Sequence, residues 1–350
     1  MMKLPQELNQ AAEEYRNWIG NYLPIGREII YLSQDDVKSI PLAPEKIRDL
    51  VEQSLIAYSA KKVDMPSKIA LHPLTDTFFH AMPAYVPELF AAGIKWGSCF
   101  PENRRQFGFP QAQGLIIYND QLSGMPLAVM DCKYITEIRT AAVTYTAIKY
   151  LAPQDAETFG MIGCGVEGRQ HIKNIVTVLP NLRTIYVYDI FEAAADSLIA
   201  DLGPGIGASI VKAASYEELV KNSQVIASAT IAKEGYDPVI KDAWIGPGKT
   251  ILLCEGHTLY EDRIFKRADK YIVDSREQVE QFVSYGYYPF GHPAIHAETG
   301  EVAAGKATGR ENAGDLIVGN NFGMAVEDMF VVRAVFDYAV EHGVGIKLPL

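Results

Sequence analysis

Met161-Ile-Gly-Cys-Gly-Val-Glu-Gly168 sets three glycines in the G-x-G-x-x-G frame between an apolar run and a segment of helical periodicity. That frame alone is common, so its surroundings decide the reading. Thr158-Phe-Gly-Met-Ile162 predicts a buried strand, and Ile172, Ile175, Val176 and Leu179 recur at the spacing of one helix face. In this context Gly163 serves a tight turn, Gly165 lets a pyrophosphate approach, and Gly168 lets helix pack on strand. Val166 and Glu167 open a helix whose first N–H groups meet the negative charge. A second apolar strand, Thr184-Ile-Tyr-Val-Tyr-Asp189, ends in an acid placed to accept hydrogen bonds from ribose hydroxyls. Ile190 and Phe191 follow it, and no arginine stands there to receive a 2′-phosphate, so NAD is expected rather than NADP. A glycine turn in some other α/β unit would lack this second strand and its acid.

The rest of the composition bounds the partner. A chain of 350 residues is comfortable for two domains, and 48% hydrophobic with 21% charged residues is ordinary globular composition. The formal charge of −11, with dispersed Lys and Arg, speaks against nucleic acid or an anionic membrane and for a small molecule. Cys99, Cys132, Cys164 and Cys254 form no C-x-x-C pair, which implies neither a disulfide framework nor a zinc knuckle. With no apolar signal core in the first fifteen residues and no membrane-length apolar run, a cytoplasmic protein is expected.

Along the chain, an amphipathic helix is expected up to Tyr22-Leu-Pro24, then a strand at Ile29–Leu32. A capped start follows at Ser33-Gln-Asp-Asp36, and Pro44 opens a helix through Ile47, Leu50, Val51, Leu55 and Tyr58. Short apolar segments at 69–71, 91–96, 114–118 and 126–130, divided by turn residues, predict a mixed sheet. After a helix over 136–151, strand and helix alternate, which predicts a doubly wound parallel sheet with later strands near 210–211, 225–230, 250–253, 271–274 and 316–319. The Gly-, Pro-, Tyr- and His-rich stretch from Phe282 to Ala313 reads as a loop. A final helix from about Met324 returns the chain to its start. The expected division is 1–135 with 320–350 as an α+β substrate and dimerisation domain, and 136–319 as the Rossmann domain.

The second substrate must be sought in the chemistry-bearing residues outside the glycine loop. Lys95 lies in an apolar strand, Gly93-Ile-Lys-Trp-Gly97, and either reaches solvent from a sheet edge or points into a site. Arg139 stands early in a helix, where its planar fork could grip a carboxylate or pair with Glu137 or Asp131.

Eight segments in order carry a family resemblance. They are His80-Ala-Met-Pro-Ala-Tyr85, Gly93-Ile-Lys-Trp96, Gly114-Leu-Ile-Ile-Tyr-Asn-Asp120, Gly124-Met-Pro-Leu-Ala-Val-Met-Asp131, Ile138-Arg-Thr-Ala-Ala142, Gly163-Cys-Gly165, Val273-Asp-Ser275 and Gly305-Lys306. In these the chain resembles the ornithine cyclodeaminase/mu-crystallin family, which includes alanine dehydrogenases and imino-acid reductases. The resemblance implies a Rossmann domain, a substrate domain built from both chain ends, and a homodimer formed by the sheets of the substrate domains. It implies that Arg139 holds an amino acid's carboxylate, that Lys95 lies near the reacting centre, and that Met82 lines the same site. It also places Asn321, in Asn320-Asn-Phe-Gly323, toward the nicotinamide end of the cofactor.

Two departures from the family pattern stand out. The cyclodeaminase aspartate that handles the substrate's amine falls, in the alignment of Leu253-Cys-Glu-Gly-His257, on His257, an imidazole suited to giving and taking a proton near neutrality. Lys68 stands where many relatives carry a carboxylate-holding arginine. Ser228 and Thr230, at a strand end, are expected to contact the cofactor through hydroxyls and backbone. His292-Pro-Ala-Ile-His296 sits in a Gly/Pro loop and reads as a loop pair rather than a metal site, so no metal is expected. The expected activity is NAD-dependent hydride transfer at the Cα–N bond of an amino or imino acid, by a dehydrogenase or imine reductase. A cyclodeaminase with catalytic NAD is the alternative, and a non-catalytic nucleotide-dependent ligand binder of mu-crystallin type a second.

Overall fold

The computed structural model describes residues 6–231 and 236–350, and the first five residues of the expected N-terminal helix lie outside that range. The chain divides into two compact units, Met1–Arg139 with Met324–Leu350, and Thr140–Gly323. The dividing points lie four residues beyond the ones expected from sequence, inside the helix Lys133–Leu151 and after Asn320-Asn-Phe-Gly323.

In the first unit six strands precede the glycine loop: β1 (Glu28–Leu32), β2 (Ile69–Leu71), β3 (Phe78–Val86), β4 (Ala91–Cys99), β5 (Ala112–Asn119) and β6 (Pro126–Asp131). The Ser33 start is real. Ser33 and Asp36 form a reciprocal capping box on the helix Gln34–Ser39. Pro44 occupies the first turn of the helix Pro44–Ser59, where its missing N–H costs nothing. Strand β3 holds Pro83 in its interior, a position the pattern of short segments did not assign to a strand. Tyr85 exchanges both backbone hydrogen bonds with Asp64, on the side away from β4. By the two-residue alternation of a strand, Pro83 turns its nitrogen to that same side, beyond the last β2 pair at Ile69 and Ala81, where no ladder donor is needed.

The second unit continues with β7 (Thr158–Ile162), β8 (Thr184–Tyr188), β9 (Ser209–Lys212), β10 (Val225–Ser228), β11 (Thr250–Leu253), β12 (Lys270–Val273), β13 (Ala297–Glu298) and β14 (Ile317–Asn320). All its pairs are parallel, in the order β13-β12-β14-β11-β10-β7-β8-β9. One apolar cluster joins Phe159, Met161 and Leu252 to the helices bearing Ile148, Ile172 and Leu198. Another joins Ile162, Ile226 and Leu253 to helices bearing Leu219, Phe265 and Val279. Burial on both faces explains why the central strands β7, β10 and β11 read as unbroken apolar runs. The stretch expected as a loop from Phe282 to Ala313 contains more order: it begins within the helix Arg276–Ser284 and includes β13 and the helix Thr299–Ala303. A two-residue strand and a five-residue helix are too short to leave a period in the sequence.

The last helix, Ala325–His342, belongs to the first unit and packs on the helix Pro44–Ser59 and on β3 and β4. A strand not expected from sequence, β15 (Ile346–Pro349), completes a mixed sheet of order β15-β1-β6-β5-β4-β3-β2. Its register with β1 is antiparallel, whereas β1 and β6 run parallel. No helix among the described residues is long and apolar enough to cross a membrane.

Candidate active site

In the second unit the glycine loop follows β7. Gly163 has φ +96°, and a Cβ there would come within 2.5 Å of the Ala229 carbonyl, so both conformation and space demand glycine. A Cβ on Gly168 would collide with the Gly163 carbonyl, which shows how closely the helix Val166–Val178 is drawn onto the loop. Gly165 faces open space at the N-terminus of that helix, with Val166 exposed and Glu167 half-buried beside it. Asp189 lies across the loop. Its Oδ2 accepts the Cys164 N–H at 2.8 Å and its Oδ1 accepts the Phe191 N–H at 2.9 Å, so the acid is oriented by backbone from both sides. Each oxygen keeps further acceptor capacity for a hydroxyl. An open cradle, a helix N-terminus and an oriented acid fit a dinucleotide's pyrophosphate and ribose.

Beyond the neighbouring strand ends lie Ser228, Thr230, Glu255 and Asn321. Ser228 is fully buried. The Tyr260 hydroxyl donates to its Oγ at 3.1 Å, and its own hydroxyl donates to Glu255, so Ser228 serves an inner network rather than an exposed cofactor contact. The Thr230 N–H donates to Glu255 Oε2 at 3.1 Å, while Glu255 Oε1 has no partner. Burial pushes the Glu255 carboxyl up to about 7 against the hydrogen bonds from Ser228 and Thr230. Asn321 donates its N–H to the Leu253 carbonyl at 2.8 Å and leaves Nδ2 unpartnered.

His257 departs from the expectation. Gly256 is extended and leads into the 3-10 turn His257–Leu259, where the imidazole lies in an aromatic core, with ring centroids 3.3 Å from Phe265, 4.2 Å from Tyr288 and 5.9 Å from Tyr271. It is 3% exposed, and burial, helped by His292, lowers its pKa to about 3. A group so held stays neutral and does not titrate near neutrality. The side chain at this strand end that does is Glu255, two residues earlier. It stands in the run Leu253-Cys-Glu-Gly-His257, where the alignment singles out His257 and nothing in the sequence pattern sets Glu255 apart.

In the first unit the structure draws Lys95 and Arg139 into one buried cluster. Lys95 is 4% exposed, so its amine is not in solvent. Its Nζ lies 2.6 Å from Asp328 Oδ2 and donates to Thr136 Oγ1 at 3.4 Å. Arg139 donates from Nε to Asp328 Oδ1 at 3.1 Å and from Nη1 to Glu327 Oε2 at 2.9 Å. Of the expected partners, Glu137 pairs with Lys133 at 2.8 Å and Asp131 accepts the Lys133 N–H at 3.0 Å. Glu327 pairs with Arg139 from the first turn of the last helix, and burial raises its pKa with Arg139 opposing. Glu327 and Asp328 escaped the sequence reading because acids in a first helical turn are ordinary complements of the helix dipole. Met82 is buried and stands directly opposite Lys95 in the β3–β4 register. Lys68 is buried, and His80 is depressed to about 2 by burial and then by the fields of Lys68 and Lys95. Lys68 and Lys95 thus act together at the His80 end of the cluster, a local positive field that suits a small carboxylate.

His292 and His296 do not converge. His292 Nδ1 donates to the Pro293 carbonyl and its Nε2 faces Glu280, whereas His296 Nε2 meets the Thr308 carbonyl.

Residues 28–343 match the model of the ornithine cyclodeaminase/mu-crystallin family. Alanine dehydrogenase of Archaeoglobus fulgidus is 31% identical over 338 residues, 92% of this chain and 98% of that protein. Among solved structures, an archaeal alanine dehydrogenase dimer with bound NAD is 30% identical with a TM-score of 0.81, covering 92% of this chain and 99% of that one. The Δ1-pyrroline-2-carboxylate reductase of Thermococcus litoralis, in complex with NADH and L-proline, is 28% identical with a TM-score of 0.81, covering 91% and 99%.

Proposed function

Because the chain belongs to the ornithine cyclodeaminase/mu-crystallin family, we propose that it is an NAD-dependent oxidoreductase acting at the Cα–N bond of an amino or imino acid. The names of its relatives as alanine dehydrogenase and pyrroline-carboxylate reductase support this class. The observation that carries it is the buried cluster of Lys95, Arg139, Glu327 and Asp328. A surface pairing would leave these groups in water, whereas burying four charges is costly unless they are arranged for a task.

Bound NAD(H) supplies the hydride acceptor or donor. The protein's own groups bind, orient and carry protons. Asp189 and the loop Gly163–Gly168 hold ribose and pyrophosphate, with NAD(H) preferred because Asp189 repels a 2′-phosphate. Two arms of Arg139 already rest on Asp328 and Glu327, which fixes the plane of the fork. A substrate carboxylate then joins an oriented guanidinium within the field of Lys68 and Lys95. Asp328 offsets the cost of burying the Lys95 ammonium, which presents N–H donors to the nitrogen of an imine or the oxygen of a 2-oxo acid.

The protein works as a homodimer in this reading. One face of the first unit's sheet carries Ile69, Leu71, Trp96, Leu115, Ile117 and Ile346, all exposed and aligned in register, an apolar stripe of the kind that marks an interface. Light scattering should give twice the chain mass, and Trp96→Lys should shift it toward monomer. A reducing cytoplasm suits the four free cysteines.

The activity is tested by supplying NADH, ammonia and small 2-oxo acids, or preformed cyclic imines, and following loss of reduced cofactor. Oxidation of NADH is expected. A cyclodeaminase remains the second reading, because Glu255 supplies an acid near the strand end where His257 had argued against one. Ornithine turned into proline with no net change in NADH would select it.

A further inference from the structure

The carboxyl ends of the parallel strands form an ordered row. Asp189 follows β8, the glycine loop follows β7, Thr230 lies beyond β10, Glu255 beyond β11 and Asn321 beyond β14. With the ribose at Asp189 and the pyrophosphate at the glycine loop, the second nucleoside runs the other way. β11 lies two strand spacings from β7, about 10 Å. Glu255 and Asn321 then stand where the nicotinamide lies, an assignment that rests on the NAD-dependent reading above.

Both residues are 4% exposed, and each withholds one polar atom from every protein partner: Glu255 Oε1, an acceptor, and Asn321 Nδ2, a donor. Buried polar atoms are satisfied in the great majority of cases, so two orphans of opposite kind at adjacent strand ends call for a ligand. They are also held firmly in place. Asn320 Nδ2 donates to the Leu253 and Glu255 carbonyls at 3.3 and 3.1 Å, the Asn321 N–H donates to the Leu253 carbonyl, and Thr230 N–H with Ser228 hydroxyl fixes the rest of the Glu255 carboxylate. A primary carboxamide is the complementary group, with N–H to give and a carbonyl oxygen to receive.

We infer that Glu255 is the reader of the nicotinamide carboxamide, its Oε1 accepting the amide N–H while Asn321 Nδ2 donates to the amide oxygen. Glu255 thereby distinguishes a nicotinamide ring from rings carrying other groups at the same carbon. No covalent step is involved.

Calorimetric titration of the full-length protein with four ligands tests this. They are NAD, the 3-acetylpyridine analogue (a methyl ketone without the N–H), nicotinic acid adenine dinucleotide (a carboxylate) and ADP-ribose (no ring). At about pH 8.5, where the Glu255 carboxyl is ionised, the wild-type protein should bind NAD roughly ten- to a hundredfold more tightly than either ring analogue, the loss of one hydrogen bond to a charged acceptor. In Glu255→Gln the single amide oxygen stays with the Thr230 N–H and an NH2 takes the free position. The preference for NAD over nicotinic acid adenine dinucleotide should then fall by tenfold or more, with ADP-ribose affinity unchanged. Equal wild-type affinity for NAD and both analogues would overturn the inference without any variant, as would an unaltered ratio in Glu255→Gln. Loss of ADP-ribose binding in that variant would likewise count against it, as general damage to the fold. Wild-type protein that binds neither NAD nor ADP-ribose would overturn the cofactor reading itself, a result distinct from the others.

Discussion

The two units hold their buried carboxylates differently. In the first, Lys95, Arg139, Glu327 and Asp328 meet one another, so each buried charge faces a counter-charge, while Glu327 Oε1 keeps no hydrogen-bond partner. In the second, Glu255 is held by hydrogen bonds from the neutral groups of Ser228 and Thr230, and its Oε1 and Asn321 Nδ2 lie buried with no partner. An ion cluster fixes geometry in advance and lets substrate join it. Unsatisfied atoms at adjacent strand ends instead leave desolvation that a ligand recovers. The first should therefore be sensitive to losing a partner, the second to ligand and to pH.

The largest effect is expected from breaking the ion cluster. Arg139→Ala leaves Glu327 and Asp328 buried against one lysine, and stability should drop by about 3–5 kcal/mol, measured by urea unfolding. Arg139→Lys should fold better yet lose most turnover, because one ammonium cannot span both acids and a substrate carboxylate. Near-normal turnover in Arg139→Lys would return the residue to a structural role.

The pH dependence of the second unit follows from two opposed groups. Glu255 is raised from 4.5 to about 7, so the folded state binds more protons than the unfolded between those values. Stability falls as pH rises through that window, by about 3 kcal/mol. His257 is lowered from 6.5 to about 3. The unfolded state binds more protons there, and stability rises with pH over that window by about 5 kcal/mol. In wild-type protein the two slopes oppose each other between about 4.5 and 6.5. Relative to wild type, Glu255→Gln should gain stability with rising pH and His257→Phe should lose it. Parallel curves for all three proteins would contradict the assigned environments.

A smaller effect is expected at the other end of the row. Asp189→Ser removes the acceptor that joins the Cys164 and Phe191 N–H groups. NADH affinity should weaken about tenfold to a hundredfold, and the gap to NADPH should narrow, both readable by calorimetry.

How far the sequence disclosed this arrangement depended on local pattern. Strands β7, β10 and β11 were legible because burial on both faces makes each an apolar run; β8 alternates buried with half-buried residues and was legible from its aromatic and β-branched composition, with the glycine frame fixing what lay between it and β7. Strand β15 was not, since Ile346-Lys-Leu-Pro349 is an exposed edge with no buried face to impose alternation. Lys95 and Arg139 could be singled out as cations in apolar settings, but their partners Glu327 and Asp328 lie some 190 residues from Arg139 and come together only by packing of the last helix. At Leu253-Cys-Glu-Gly-His257 the residues were visible and their directions were not. The 3-10 turn His257–Leu259 carries the histidine into the aromatic core and leaves the glutamate at the strand end, an outcome that depends on packing against Phe265, Tyr271 and Tyr288.

The central claim is hydride transfer to the α-carbon, and isotope tracing tests it most directly. Purified protein given NADH deuterated at the transferred position of the nicotinamide ring, with a cyclic imino acid or a 2-oxo acid and ammonia, should yield an amino acid carrying deuterium at Cα. One NAD should form per product. Amino acid formed without deuterium at Cα, or proline formed from ornithine while NADH stays constant, would contradict the account.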